Sequence, residues 1–339
     1  MIKPCKHSWY LKDLEKVPKN GKTVFSAFHC GGGSSMGYKL AGYNVLGGVE
    51  IDKDMMTIYR KNFNPVRSYL MGVQDFNKIP NDELPKELFN LDILDGSPPC
   101  SNFSLSGNRE KDWGKEKYFR EGQAKQVLDD LFFHFIDMAD KLQPKVIVAE
   151  NVKGLLIGAA KGYVKMILQQ FKEIGYEVQM FLLNSAFMEV PQRRERVFFI
   201  AHKTGKRLQL DFNYKPIPCK DVVLHDRSGK DLSKAAAYTT WKRVKPGQSL
   251  SHGHPKGSYF NWYRIDGNQP FPTLASGSWG CQMYWDEPYG FAPMDFTRIQ
   301  SFPDDYDYGK EEAGYVCGMS VPPKMMMHIA KEIEIQLLS

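Results

Sequence analysis

Over its first two hundred residues the chain alternates short apolar runs with longer stretches in which apolar positions recur every three or four residues. The short runs are TVFSAF (23–28), NVLGGVEID (44–52), LDILDG (91–96), KVIVAENV (145–152), EVQMFLLNS (177–185) and RVFFIAH (196–202), and their length and composition predict strands. AKQVLDDLFFHFIDMADKL (124–142) and GYVKMILQQFKEIG (162–175) carry the helical period, each with Gly or Pro near its end. Strands alternating with helices predict an α/β fold, a doubly wound, Rossmann-like sheet. The pattern breaks near residue 203. From 204 to 289 the chain is rich in Lys, Gly, Pro, Ser and aromatics, with short, irregular strand signals, which predicts a second, smaller, irregular β-rich domain. The helical period returns in APMDFTRIQSF and PKMMMHIAKEIEIQLL, separated by the acidic turn PDDYDYGKEEAG, and this tail is expected to rejoin the first domain. The expected division is therefore 1–203 plus 290–339 against 204–289. No internal repeat at a period of roughly 20–50 residues is visible.

Composition narrows the class. Of 339 residues, 42% are apolar and 25% charged, values of a globular chain large enough for two cores. No run approaches the roughly 20 apolar residues of a membrane span, and MIKPCKHSWYLKD lacks the apolar stretch of a secretory signal, so a cytoplasmic, nucleoid-associated protein is expected. The cysteines, Cys5, Cys30, Cys100, Cys219, Cys281 and Cys317, form no Cys-x-x-Cys pair; reduced thiols are expected, with no disulfide framework and no metal. The net charge of +6 is uneven: residues 190–265 hold 16 Lys/Arg against 5 Asp/Glu, whereas 267–339 hold 4 against 10. The basic segment is interleaved with Tyr214, Tyr238, Trp241, Tyr259, Trp262 and Tyr263, as on a polyanion-binding surface.

Chemistry concentrates at strand ends. Between the first strand and a helix, FHCGGGSSMGY holds Gly31, Gly32 and Gly33, which let backbone approach a ligand closely ahead of a helix N-terminus. Glu50 follows Gly33 by seventeen residues, at the end of the second strand, where a carboxylate can accept from ribose hydroxyls. Asp75, after YLMGV, is expected at the next strand end, within reach of an adenine amino group. These residues describe a nucleoside cofactor and leave a nicotinamide open. Cys100 discriminates: a thiol braced by Pro98 and Pro99 beyond the fourth strand is a nucleophile, which hydride transfer does not generally need. Glu150 ends an apolar run and is expected to be partly desolvated with a raised pKa, suited to a ring nitrogen. Arg194 and Arg196 alternate ahead of VFFIA, so they are expected to share one face of a strand, with Glu195 pointing the other way.

Together these blocks resemble the DNA (cytosine-5) methyltransferases. FHCGGGSSMGYKLAGYNVLGGVEID, GSPPCSNFS, AENVKG, PQRRERVF, TRIQSFPDD and GMSVPP follow one another in the family's order across about 300 residues, and the small domain alone lacks a counterpart. The resemblance implies that Phe28 stacks on the adenine of S-adenosylmethionine, that Glu50 holds the ribose and Asp75 the adenine amino group, and that Ile51, Phe76, Pro98, Leu131, Met319, Ser320 and Val321 complete the cofactor contacts. Cys100 would add to C6 of a flipped-out cytosine, whose C5 then takes the sulfonium methyl group. Glu150 would bind N3 and the amino group, and Arg196 would contact O2 with Arg194 beside it. SNFSLSGNREKDWGKEKYFREGQ would close as a lid, with Ser104 and Ser106 matching loop serines of the family that touch the phosphate or the space the base vacates; the charges of Arg109, Lys111 and Lys115 suit either phosphate contacts or an ordinary solvated loop.

The sequence departs from the family at four places. Cys30 replaces the first loop glycine, Ser101 the usual Gln after the nucleophile, Met319 the Asn of the terminal block, and YGFAPMD the Arg-x-Leu-Thr-x-Arg-Glu stretch. Cys30 and Met319 fall near the expected cofactor pocket; neutral drift with sterically tolerated side chains is the favoured reading, and a reshaped pocket or altered donor specificity is the alternative. The nucleophile, Glu150 and both arginines remain, so an active enzyme is expected. The basic segment 204–289 would recognise a short target in duplex DNA through residues such as Lys206, Arg207, Lys242, Arg243, Lys245 and Arg264, with Lys203 immediately ahead of it. A monomer, a possible cognate restriction endonuclease and a prokaryotic or phage origin complete the expectation. The competing readings are a tRNA cytosine methyltransferase of the same family, a nicotinamide oxidoreductase and a non-catalytic DNA-binding protein.

Overall fold

In the computed structural model, which describes residues 5–99, 116–117, 126–127, 130–157, 160–277 and 279–339, the six apolar runs and a seventh segment assemble into one sheet. Its strands are β1 (Thr23–Ala27), β2 (Asn44–Glu50), β3 (Arg67–Leu70), β4 (Ile93–Gly96), β5 (Val146–Val152), β6 (Glu177–Asn184) and β7 (Glu195–His202), in the order β3-β2-β1-β4-β5-β7-β6. The pairs among β1 to β5 are parallel, and β7 runs antiparallel to β5. The central strands are buried nearly throughout, Val146 to Asn151 without a break, because helices cover a parallel sheet on both faces and each strand position meets a core. That is why these strands read as continuous apolar runs rather than as alternation.

Five helices follow strands of this sheet: α1 (Gly33–Leu40), α2 (Lys53–Phe63), α3 (Val73–Lys78), α4 (Leu131–Leu142) and α5 (Ala160–Glu173). The start of α2 has a local cause. The Asp52 carboxylate accepts from Asp54 N at 2.8 Å and Met55 N at 3.2 Å, satisfying donors that a helix start leaves orphaned. Two sequence expectations change. The helix expected from 124 begins at Leu131, while Gln126–Val127 pairs as a strand with Glu116–Lys117; an apolar period does not reveal that the backbone bonds elsewhere. The third strand ends at Leu70, so Asp75 sits in the first turn of α3 rather than at a strand end.

β1 and β4 are adjacent, and the chain winds outward from them in opposite directions. This switch of direction opens a crevice at the carboxyl ends of the strands, the usual ligand site of open α/β sheets. The larger compact unit, Val17–Leu183 with Glu195–Asp211 and Met327–Ser339, contains that crevice. The C-terminal end of α9 (Pro323–Leu337) is held in this unit by Tyr43, whose hydroxyl donates to Ala330 O at 2.9 Å, and by Asn20, whose amide donates to Glu334 at 2.9 Å.

The other unit comprises Met1–Lys16, Asn184–Arg194 and Phe212–Met326, so residues 290–326 group here, whereas the sequence pattern divides the chain at 203 and 290. It contains α6 (Ala237–Trp241), α7 (Pro293–Ile299) and α8 (Ala313–Met319). Three two-residue strands, Gln248–Ser249, Tyr263–Arg264 and Gln282–Met283, form a second small sheet. Leu232, Ala237, Trp241, Val244, Leu250 and Met283 make a core beside it.

Candidate active site

The loop after β1 is folded by left-handed residues and pinned by one carboxylate. Phe28, Cys30 and Gly32 have φ of 54°, 47° and 75°, conformations that cost a side-chain-bearing residue roughly 1 kcal/mol or more. Gly32 has no alternative: a Cβ there would lie 2.3 Å from the Phe63 ring and 2.9 Å from Tyr59. Glu50, at the end of β2, accepts from Cys30 N and from Asp52 N, both at 2.9 Å. His29 lies beneath the loop, stacked on Tyr59 at 3.8 Å; burial pushes its pKa down to about 4, so the ring is neutral. The Cys30 thiol reaches Met55 Sδ at 3.6 Å.

Glu50 is 8% exposed. Burial holds its pKa up to about 7, against the lowering effect of the Asp52, Cys30 and Ile51 N–H groups. A carboxylate has about four acceptor positions, so capacity remains for a further donor. The glycine cradle with this acceptor fits a nucleoside carrying ribose hydroxyls.

The remaining cofactor candidates separate. Asp75 forms a solvent-facing pair with Lys78 at 2.9 Å. Phe76 is fully buried, its ring against Phe25 and Tyr69, which makes it a core residue. Leu131 is buried at the start of α4, Pro98 is buried, and Ile51 is half-buried. Met319, Ser320 and Val321 belong to the smaller unit, where Ser320 O accepts from Gln300 Nε2 at 2.6 Å and Ser320 Oγ donates to Val316 O at 2.8 Å.

At the end of β5, Glu150 Oε1 lies 2.9 Å from Arg196 Nε, with side chains only 10% and 13% exposed. Burial pulls the guanidinium pKa down and the Glu150 carboxylate pushes it back up. The antiparallel register brings the pair together: Val152 pairs with Arg196 and Glu150 with Phe198. Glu195 points the other way, as alternation requires, to Lys153 at 2.9 Å. Asn151 was not singled out in the sequence, although a polar residue inside a buried run is itself a signal. Its amide donates to Pro98 O at 3.1 Å, bracing the Ser97-Pro98-Pro99 segment against β5.

Arg194 does not share a strand face with Arg196, because β7 begins at Glu195. It is 2% exposed in the smaller unit and donates to Leu274 O at 2.9 Å and Gly318 O at 3.0 Å; this is a clamp between chain segments. Arg264 is also committed internally. Its guanidinium lies 4.1 Å over Trp241 and donates to Trp285 O at 2.8 Å and Val244 O at 2.9 Å. Lys242 and Arg243 are exposed, with the Lys242 ammonium 4.3 Å over Tyr238. Cys100, Ser101, Ser104, Ser106 and Arg109 lie outside the described residues, as does the expected lid apart from Glu116–Lys117. Among the described residues no cluster of three His, Cys, Asp or Glu side chains could hold a metal ion, and no helix is long and apolar enough to cross a membrane.

Comparison with known proteins gives the family and the fold. The family model described as C-5 cytosine-specific DNA methylase matches residues 23–335. Type II methyltransferase M.Sau96I of Staphylococcus aureus is 30% identical over 354 residues, covering 95% of this chain and 78% of its own. Type II methyltransferase M.FnuDI of Fusobacterium nucleatum is 29% identical over 343 residues, covering 92% and 94%. A DNA modification methyltransferase encoded within an E. coli prophage has a similar fold, with a TM-score of 0.69 at 20% identity over 94% of this chain and 100% of the other.

Proposed function

This chain belongs to the family of C-5 cytosine-specific DNA methylases, and from that premise we propose how its own residues divide the reaction. It is an S-adenosylmethionine-dependent DNA (cytosine-5) methyltransferase. The cofactor supplies the electrophilic methyl group. Cys100 is the nucleophile that adds to C6 of the target cytosine. Glu150 accepts from the exocyclic amino group and shares a proton at N3, which withdraws electron density from C6 and eases that addition. Arg196 contacts O2 and supplies the counter-charge that keeps Glu150 oriented. The single observation that carries these roles is the buried Glu150–Arg196 pair at 2.9 Å, joined through the neighbouring Asn151 to Pro98, two residues ahead of Cys100. Phe28, the Gly31–Gly33 cradle and Glu50 hold the cofactor. The segment 204–289 recognises the target, with Lys242 and Arg243 as its exposed cations. The protein acts as a monomer on duplex DNA in a prokaryotic or phage setting, beside a restriction endonuclease of the same specificity where one is encoded.

Incubation with labelled S-adenosylmethionine and either duplex DNA or tRNA tests the whole reading, with bisulfite sequencing to report the base and its context. Label at cytosines within one short duplex sequence is expected. Label in tRNA and none in DNA would overturn it.

The cofactor role of Glu50 has its own pH signature. Only the ionised carboxylate accepts without competition from its own proton, so affinity for S-adenosylhomocysteine is expected to rise as pH increases through about 7 and to lose this dependence in Glu50→Gln. Calorimetry across that range is the measurement, and an unchanged profile in the variant would remove Glu50 from the site. The contribution of Glu50 to apo stability has the opposite sign. Its folded pKa of about 7 exceeds its ordinary 4.5, so the folded state binds more protons in between and stability falls as pH rises through that window.

A further inference from the structure

β4 carries an acid in the middle of its buried run. Asp95 is 2% exposed and lies one residue before the Gly96 that ends the strand. Two hydroxyls meet its carboxylate. Ser26 Oγ, on the paired position of β1, donates to Oδ2 at 3.1 Å, and the Tyr38 hydroxyl, on α1, donates to Oδ1 at 3.2 Å; the Ser34 hydroxyl, in the first turn of α1, favours the ionised form as well. None of these residues touches the roles assigned above, yet they join the two segments on which the chemistry depends. β1 and α1 flank the Phe28–Gly33 loop, and β4 delivers Ser97-Pro98-Pro99.

We infer that Asp95 is a positioning residue for methyl transfer, holding the strand that delivers the nucleophile in fixed register with the loop that cradles the cofactor, an inference that rests on the reading of Cys100 as nucleophile. An ionised carboxylate only accepts, so it can gather O–H groups from β1 and α1 at once. A protonated carboxyl or an amide must donate in at least one direction, and one of the hydroxyls then has to turn. The displacement is small, but transfer between two bound partners is sensitive to misplacement of about 1 Å. The titratable groups facing Asp95 are Tyr38 on α1, Tyr59 on α2 and Glu150 on β5. Burial first, and the Glu150 charge as a further cause, hold the Asp95 pKa up at about 7, so the device loosens on the acid side of neutrality.

The test is Asp95→Asn in the full chain, assayed at saturating S-adenosylmethionine so that any effect of Glu50 on affinity drops out. Ser and Tyr hydroxyls can accept as well as donate, so the amide is tolerated sterically. The expected result is a fall in kcat of about 10- to 100-fold near pH 8. Affinity for S-adenosylhomocysteine stays within about threefold, and the acid-side decline of the wild-type kcat flattens. Wild-type kcat with an unaltered acid-side decline would overturn the inference. Should Asp95→Asn fail to fold, Tyr38→Phe keeps the charge and removes one donor; a folded Tyr38→Phe with unchanged kcat would equally overturn it. Cys100→Ser separates the two readings, because methylation retained by that variant removes the nucleophile assignment whatever Asp95→Asn does.

Discussion

Cys100→Ser is expected to bind S-adenosylhomocysteine as the unaltered protein does and to lose at least ~10³-fold in methyl transfer. It should also form no denaturation-stable adduct with duplex DNA carrying 5-fluorocytosine at the target. The reasoning is chemical. C5 of cytosine is a poor nucleophile until C6 is occupied, and a serine hydroxyl, with its far higher pKa and lower polarisability, does not supply the addition that a thiolate supplies. Wild-type protein should give the adduct, because fluorine at C5 cannot leave as a proton does and the covalent bond to sulfur is trapped. A serine variant methylating at the wild-type rate would end the assignment of Cys100, while the family membership would stand. The sequence supports the position: Pro98 and Pro99 limit backbone freedom on one side, and Asn151 holds the Pro98 carbonyl.

Glu150→Gln should be damaging in two separable ways. The pair with Arg196 is buried on both sides, so neutralising Glu150 leaves a guanidinium out of water without its counter-charge, a loss of about 3–5 kcal/mol in comparable cases. The same change removes the group that shares a proton with N3 and should reduce kcat by about 10²- to 10⁴-fold. Two measurements separate these effects. Glu150→Gln combined with Arg196→Met removes the stranded charge and keeps the volume, so thermal stability should return; kcat of Glu150→Gln alone, assayed well below its melting temperature, reports the role at the base. Wild-type kcat in that folded single variant would show that Glu150 serves the scaffold and not the base.

The placement of much of this candidate site was legible in the sequence. Gly31 to Gly33, Glu50, Glu150 and Arg196 fall at strand ends that apolar runs mark in advance, and six of the seven strands appear within a few residues of their expected places. The side chains whose surroundings the sequence did not show share a cause. Arg194 and Arg196 look equivalent two residues apart, yet β7 begins between them and the first guanidinium is taken by the carbonyls of Leu274 and Gly318. Arg264 resembles a free cation in a basic segment, but carbonyls of Trp285 and Val244 hold it. Phe76 and Asp75 are neighbours in one short helix, and one faces the core while the other faces water.

The amino-acid sequence by itself determined the chemistry and the strand sequence of this protein, because residue type, apolar period and the order of motifs are properties that a chain carries without being folded. Tertiary structure alone decided which ionisable groups are left for function. The partners that consume Arg194 lie 80 and 124 residues away, and the hydroxyl of Ser26 that meets Asp95 lies 69 residues away. Burial, which moves Glu50 and Asp95 to about 7, exists only once the sheet has closed around them. A side chain's charge is written in the sequence; its desolvation and its hydrogen-bond partners are set by contacts between distant segments, and those contacts separate scaffold from site.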